Sequence, residues 1–198
     1  TDFEYTPCPT ITYRVGGVIL RKEILWIHKR TQMMIRYTLV DAHSETTLRL
    51  RPFLAFRNKH ELSKANMYAN VRSYPVTNGV KNRLYDGFPD LQLQTSNAAA
   101  FKYQPYWYNG VTYSDEYRRG FDCREDLFVP GSFSLEMKPG ESVVFSASVA
   151  EVNPKGLKRK FTDTLKKMET IDSYEDLLVH NARMFKLQKG DKARINAG

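Results

Sequence analysis

Apolar and polar residues alternate with period two over most of residues 10 to 150, and this pattern limits the chain to β architecture. Met33, Ile35, Tyr37 and Leu39 alternate with Met34, Arg36 and Thr38. Leu48, Leu50, Leu54 and Phe56 alternate with Arg49, Arg51 and Arg57. Phe133, Leu135 and Met137 alternate with Ser134, Glu136 and Lys138, and Val143, Phe145, Ala147 and Val149 with Ser146 and Ser148. Successive strand side chains point to opposite faces, so each run offers one face for burial and one for water. That is the signature of antiparallel sheets, and many such strands in sequence predict two sheets packed face to face.

Turn chemistry supports the pattern. Gly16-Gly17 separates the runs Ile11 to Val15 and Val18 to Ile27 and predicts a tight hairpin. Lys138-Pro139-Gly140-Glu141 carries proline and glycine where a type II turn needs them and is expected to join two antiparallel strands. Pro52 inside a strand pattern predicts an edge or a bulge. After Asn153-Pro154 the pattern becomes helical. Lys158 to Met168 favours helix by composition. Ser173 with Asp176 forms a capping box for a second helix, whose Tyr174, Leu177, Leu178, Asn181, Met184 and Phe185 share a face suited to docking on other protein surface. The tail from Lys189 has no core of its own and reads as a linker. The division expected is a β-sandwich domain over 1–153 and a helical linker over 154–198.

Composition excludes several function classes. With 198 residues and 41% apolar content the chain can bury a core, and no apolar run is long enough to span a membrane. Two cysteines, Cys8 and Cys123, are too few for a disulfide framework and are read as buried or half-buried free thiols, which suits a reducing cytoplasm. The net charge of +8 invites a nucleic-acid reading. However, residues 155–198 hold eleven Lys or Arg against six Asp or Glu, so most of the excess sits on the C-terminal helical part, where it reads as a solvated face.

No P-loop, dinucleotide fingerprint or nucleophile elbow occurs, and the four histidines His28, His43, His60 and His180 lack metal-ligand spacing, so no metal or other cofactor is expected. The segment Arg118 to Gly131 stands out as a long, charged loop behind a run of aromatics and ending in Pro130-Gly131. Asp122, Glu125 and Asp126 could supply the two carboxylates of a glycosidase. The plainer reading pairs them with Arg118, Arg119 and Arg124, which would keep them ionised, whereas a general acid needs a raised pKa. The aromatics Phe101, Tyr103, Tyr106, Trp107, Tyr108, Tyr113 and Tyr117 could stack on sugar rings, but cross-strand packing accounts for them more simply.

Several segments line up with one family. They are Pro9-Thr10-Ile11-Thr12-Tyr13 with Gly17 to Ile24, Arg36-Tyr37-Thr38-Leu39 with Leu48 to Arg57, and Arg119-Gly120-Phe121-Asp122 with Glu125 to Gly131. In order and spacing they resemble the N-terminal domain of bacterial and archaeal glycogen debranching enzymes. The closing Ala193 to Gly198 is similar to the junction before that family's catalytic α/α barrel. The resemblance implies a β-rich supersandwich followed by linker helices, in a parent enzyme that cleaves α-1,6 linkages of glycogen-like glucans. It places the catalytic acids on the barrel, so no catalytic residue carries over. The family's glycine-rich opening is missing, so the chain looks trimmed at both ends, and exposed strand edges would invite pairing with another chain.

The function expected is a non-catalytic domain that packs on the barrel and shapes its glucan groove, with α-glucan and the barrel as partners. Its expected contact surface is Trp107, Tyr108, Arg119, Asp122, Glu125 and Asp126. The rivals are an independent carbohydrate-binding module, a nucleic-acid binder, and an enzyme using its own acids.

Overall fold

In the computed structural model, the structure describes residues 1–27, 30–169, 173–184, 186–189 and 192–195. His28, Phe185 and residues 196–198 lie outside the described residues, as do the side chains of Leu177, His180, Asn181 and Met184.

The alternating runs become strands of two antiparallel sheets. The larger is eight-stranded, in the order β1 (Asp2–Glu4), β2 (Thr10–Val15), β3 (Val18–Trp26), β4 (Gln32–Asp41), β11 (Ser142–Ser148), β8 (Leu91–Thr95), β7 (Gly79–Asn82) and β6 (Tyr74–Val76). The smaller is three-stranded, in the order β5 (Thr46–Leu50), β10 (Arg124–Met137) and β9 (Ala100–Thr112). The fold is therefore mainly β, as expected. Val15 pairs with Val18 across Gly16 and Gly17, whose φ values of 58° and 80° are those of a two-residue hairpin turn.

The two sheets bury their facing sides in one core. Leu39, Val80, Leu93, Val143 and Phe145 of the larger sheet meet Leu50, Phe128, Phe133, Leu135 and Met137. Phe133 and Phe145 touch across the layers edge to face, with centroids 5.6 Å apart. A second core lies on the other side of the large sheet. There Leu25, Met34 and Val144 take Leu157, Phe161 and Leu165 of helix α2 (Leu157–Glu169). Arg36 donates to Glu23 at 2.7 and 2.6 Å beneath this helix and lays its guanidinium 4.5 Å from the Phe161 ring centre. The large sheet is thus covered on one face by a sheet and on the other by a helix.

Two expectations need correction. The turn at Lys138–Glu141 forms, with Glu141 N–H on the Lys138 carbonyl and Gly140 at φ 85°, but the strands it joins do not pair. β10 pairs with β5 and β9, β11 with β4 and β8, so the turn carries the chain from one sheet to the other. Alternation alone does not say whether two strands lie side by side or face to face. Second, Pro130-Gly131 does not end a loop. It is an irregularity inside β10, where the register against β9 shifts between Val129 and Gly131. A proline lacks the N–H a ladder needs and is tolerated in a central strand at such a bulge. In the expected linker, β12 (Lys186–Lys189) and β13 (Lys192–Ile195) pair as a hairpin.

The second helix, α3 (Tyr174–Met184), starts as expected, with Ser173 Oγ accepting the Asp176 N–H at 3.0 Å. Its Tyr174 and Leu178 are exposed. Both cysteines are free thiols, Cys8 buried and Cys123 partly so.

Candidate functional site

The charged segment after the aromatics divides into two parts. Residues Ser114–Arg118 form a single helical turn, α1, between β9 and β10, and Arg124 onward is strand. The excursion over 113–123 is therefore the loop, and it is shorter than the sequence suggested. Its base is closed by Tyr113 N–H donating to the Cys123 carbonyl at 2.8 Å.

Beneath this loop Glu125 is fully buried. Arg57 grips its carboxylate with Nε at 2.5 Å and Nη2 at 3.1 Å, the Tyr113 hydroxyl donates at 2.6 Å, and the Ser63 N–H at 3.0 Å. Burial alone would raise the Glu125 pKa, but these donors outweigh it and bring it down to about 2. The same contact raises the pKa of Tyr113, because a phenol that donates to a carboxylate resists ionisation. Asp126 acts alike on the backbone. It accepts the Ala65 N–H at 3.0 Å and the Gly110 N–H at 2.8 Å, and these two bonds lower its pKa. The two acids pin the long segment between Leu50 and Ser73 to the small sheet. Lys64 adds a bond to the Arg124 carbonyl at 2.6 Å.

Above this floor lies an open cleft of about 970 Å³, walled by Lys59, His60, Tyr113, Glu116, Phe121 and Asp122. Phe121 is exposed, and Arg119 stands 5.3 Å from its ring centre while pairing with Glu116 at 3.2 Å. Exposed ammonium, carboxylate, imidazole and aromatic groups of Lys59, Asp122, His60 and Phe121 converge there.

The six residues expected to form the contact surface are distributed among these features. Asp122 lines the cleft, and Arg119 stands at its edge through Glu116 and Phe121. Glu125 and Asp126 form its foundation. Trp107 and Tyr108 are neighbours on a strand and face opposite sides. Trp107 packs edge-on against Phe128 in the core at 5.6 Å, whereas Tyr108 is half exposed and meets Phe53 at 5.1 Å. The partner of Glu125 is Arg57, not Arg118, Arg119 or Arg124, and Arg118 pairs with Asp115 one helical turn away. Arg57, Tyr113, His60 and Phe121 were missed. Arg57 lies 68 residues from Glu125, and no local spacing announces such a pair.

The sequence matches the family described as glycogen debranching enzyme N terminal over residues 1–144. The chain belongs to that family. The matched residues take in both sheets and the loop that bears the cleft, ending within β11 of this debranching enzyme N-terminal domain. No curated protein matches the chain. Among the described residues no helix is long and apolar enough to cross a membrane, and no group of three His, Cys, Asp or Glu side chains could hold a metal ion.

Proposed function

We propose that this domain packs on a catalytic α/α barrel and supplies one wall of its groove for a branched α-glucan, without catalytic groups of its own. The observation that carries this reading is the cleft at the end of the β9–β10 hairpin. An exposed aromatic, Phe121, stands beside Asp122, His60 and Lys59, the combination that recognises a sugar's apolar face and its hydroxyls. The acids beneath are held ionised and saturated with donors, the reverse of what protonating a glycosidic oxygen requires. The family assignment supplies the polymer, a glycogen-like glucan.

The test is kinetic. In the polypeptide that joins this domain to its barrel, Phe121→Ala and Asp122→Ala should each raise KM for a phosphorylase limit dextrin by roughly three- to thirtyfold, the loss of about 0.7–2 kcal/mol of binding, with kcat nearly unchanged. Equal losses in kcat would move the cleft into the chemistry, and unchanged kinetics would remove it from the groove. Submillimolar affinity of the domain alone for maltoheptaose would favour a self-sufficient binding module.

A further inference from the structure

The cleft has a smaller neighbour. Beside it lies a second hollow of about 320 Å³, whose own walls are Lys64, Cys123 and Arg124. Leu62, Phe121 and Asp122 line both hollows and so form the ridge between them. The ridge is built by the loop's own sequence. Gly120 follows α1 at φ 75°, a left-handed conformation that glycine adopts without strain. The chain turns there, and the Phe121 N–H returns to the Glu116 carbonyl at 3.0 Å. Glu116 also holds Arg119, whose guanidinium stands against the Phe121 ring. Phe121 is thus anchored at backbone and ring and still 58% exposed.

The smaller hollow carries what one pyranose ring needs. Arg124 is exposed, and its guanidinium, with five N–H donors, has no ion pair among the described residues. Lys64 gives one of its three ammonium protons to the Arg124 carbonyl at 2.6 Å, so two remain. Asp122 offers an acceptor, and Phe121 and Leu62 an apolar surface. The larger hollow has about three times the volume, and both fall in the range of small-molecule sites. A ligand that fills both must turn at the ridge, with its longer arm in the large hollow and its shorter arm in the small one. A linear α-1,4 glucan curves smoothly and does not make that turn. An α-1,6 linkage adds an exocyclic methylene, and with it one more rotatable bond, which lets the attached residue leave the direction of the main chain.

We infer that the two hollows form a branch-reading site, a step that rests on the groove reading above. The main chain lies in the large hollow beside His60 and Lys59. The branch residue drops past Phe121 into the small hollow, where Arg124, Lys64 and Asp122 bond its hydroxyls. Phe121 contacts both arms, whereas Arg124 and Cys123 contact the branch alone. The small hollow therefore sets preference for branched over linear glucan, and the large one sets affinity for either.

The test compares a branched ligand with a linear one in the polypeptide that joins this domain to its barrel. Arg124→Ala removes donors from the small hollow, and Cys123→Trp fills it. Each should raise KM for a maltoheptaose bearing a single α-1,6 glucosyl stub by roughly three- to thirtyfold, while the inhibition constant of linear maltoheptaose stays within about twofold. Loss of folded protein would lower the apparent kcat and leave KM alone, so the readout does not depend on yield. In the unsubstituted protein, iodoacetamide should alkylate Cys123 at least about threefold more slowly with an uncleavable, sulfur-linked branched analogue bound, and at an unchanged rate with maltoheptaose. Equal effects on the two ligands, or an unchanged KM without protection of Cys123, would overturn the branch site and leave the groove reading standing. The groove reading fails by a different result, Phe121→Ala moving neither constant, and the branch site then falls with it.

Discussion

Glu125 carries the heaviest electrostatic burden of any residue described at the site. A carboxylate removed from water is tolerated here because Arg57, Tyr113 and Ser63 saturate it. Removing one member should therefore cost more than the contact is worth. Arg57→Ala leaves a buried charge behind and should destabilise by about 3–5 kcal/mol in urea unfolding. Tyr113→Phe should cost about 1–3 kcal/mol.

The pH dependence follows from the same group. Its pKa falls from an ordinary 4.5 to about 2 on folding, so the stability it lends is complete above about 4.5 and drains away as the pH drops toward 2. A difference of that size amounts to on the order of 3 kcal/mol. In Glu125→Gln the part of the acid-unfolding curve between these values should flatten, and a curve that keeps its full slope would assign that dependence to other carboxylates.

Cys8 is buried and its pKa is pushed up chiefly by burial, so it resists alkylation while the partly exposed Cys123 does not. Ellman's reagent should titrate one thiol quickly in the native protein and the second only after unfolding.

Among the elements, β10 makes the most demands on its sequence. It is central in the small sheet and holds proline and glycine at its bulge. A Cβ at Gly131 would lie 2.2 Å from the Lys102 carbonyl oxygen, and its φ of 151° is one that other residues rarely adopt. Gly131→Ala should destabilise by more than about 2 kcal/mol in chemical denaturation, because backbone must move and the dihedral is strained.

At this scale the sequence was a good guide to strands and a poor one to their neighbours. Alternation marked β2, β3, β4, β5, β10 and β11, and glycine pairs marked the first hairpin, because period and turn chemistry are local. Whether β10 and β11 pair or face each other depends on which apolar surfaces remain open after collapse, and residues 138–141 do not encode that. The site was legible to the same extent. Acids and aromatics after residue 101 were visible, but the arginine that neutralises Glu125 comes from a segment 68 positions away. Arg57 stood in plain view as the polar member of a strand pattern, and nothing in its spacing distinguished it from Arg49 or Arg51.

For the molecule as a whole, the large sheet is a common wall between two cores. Phe161 anchors α2 with its ring fully buried beneath Arg36. Phe161→Ala should cost about 3–5 kcal/mol, lowering the thermal midpoint by roughly 6–20 °C for a domain of this size, without disturbing the cleft on the other side. The separation suits the proposed role, in which one surface keeps its shape while the rest of the fold supplies stability.

In the proposed function, the loop over residues 113–123 and the segment 57–62 face a glucan. The most direct measurement is amide hydrogen exchange on the polypeptide carrying both this domain and its barrel, with and without saturating maltoheptaose. Slowed exchange in both segments on adding sugar is the result expected. Protection confined to the barrel, with 57–62 and 113–123 exchanging as before, would contradict it.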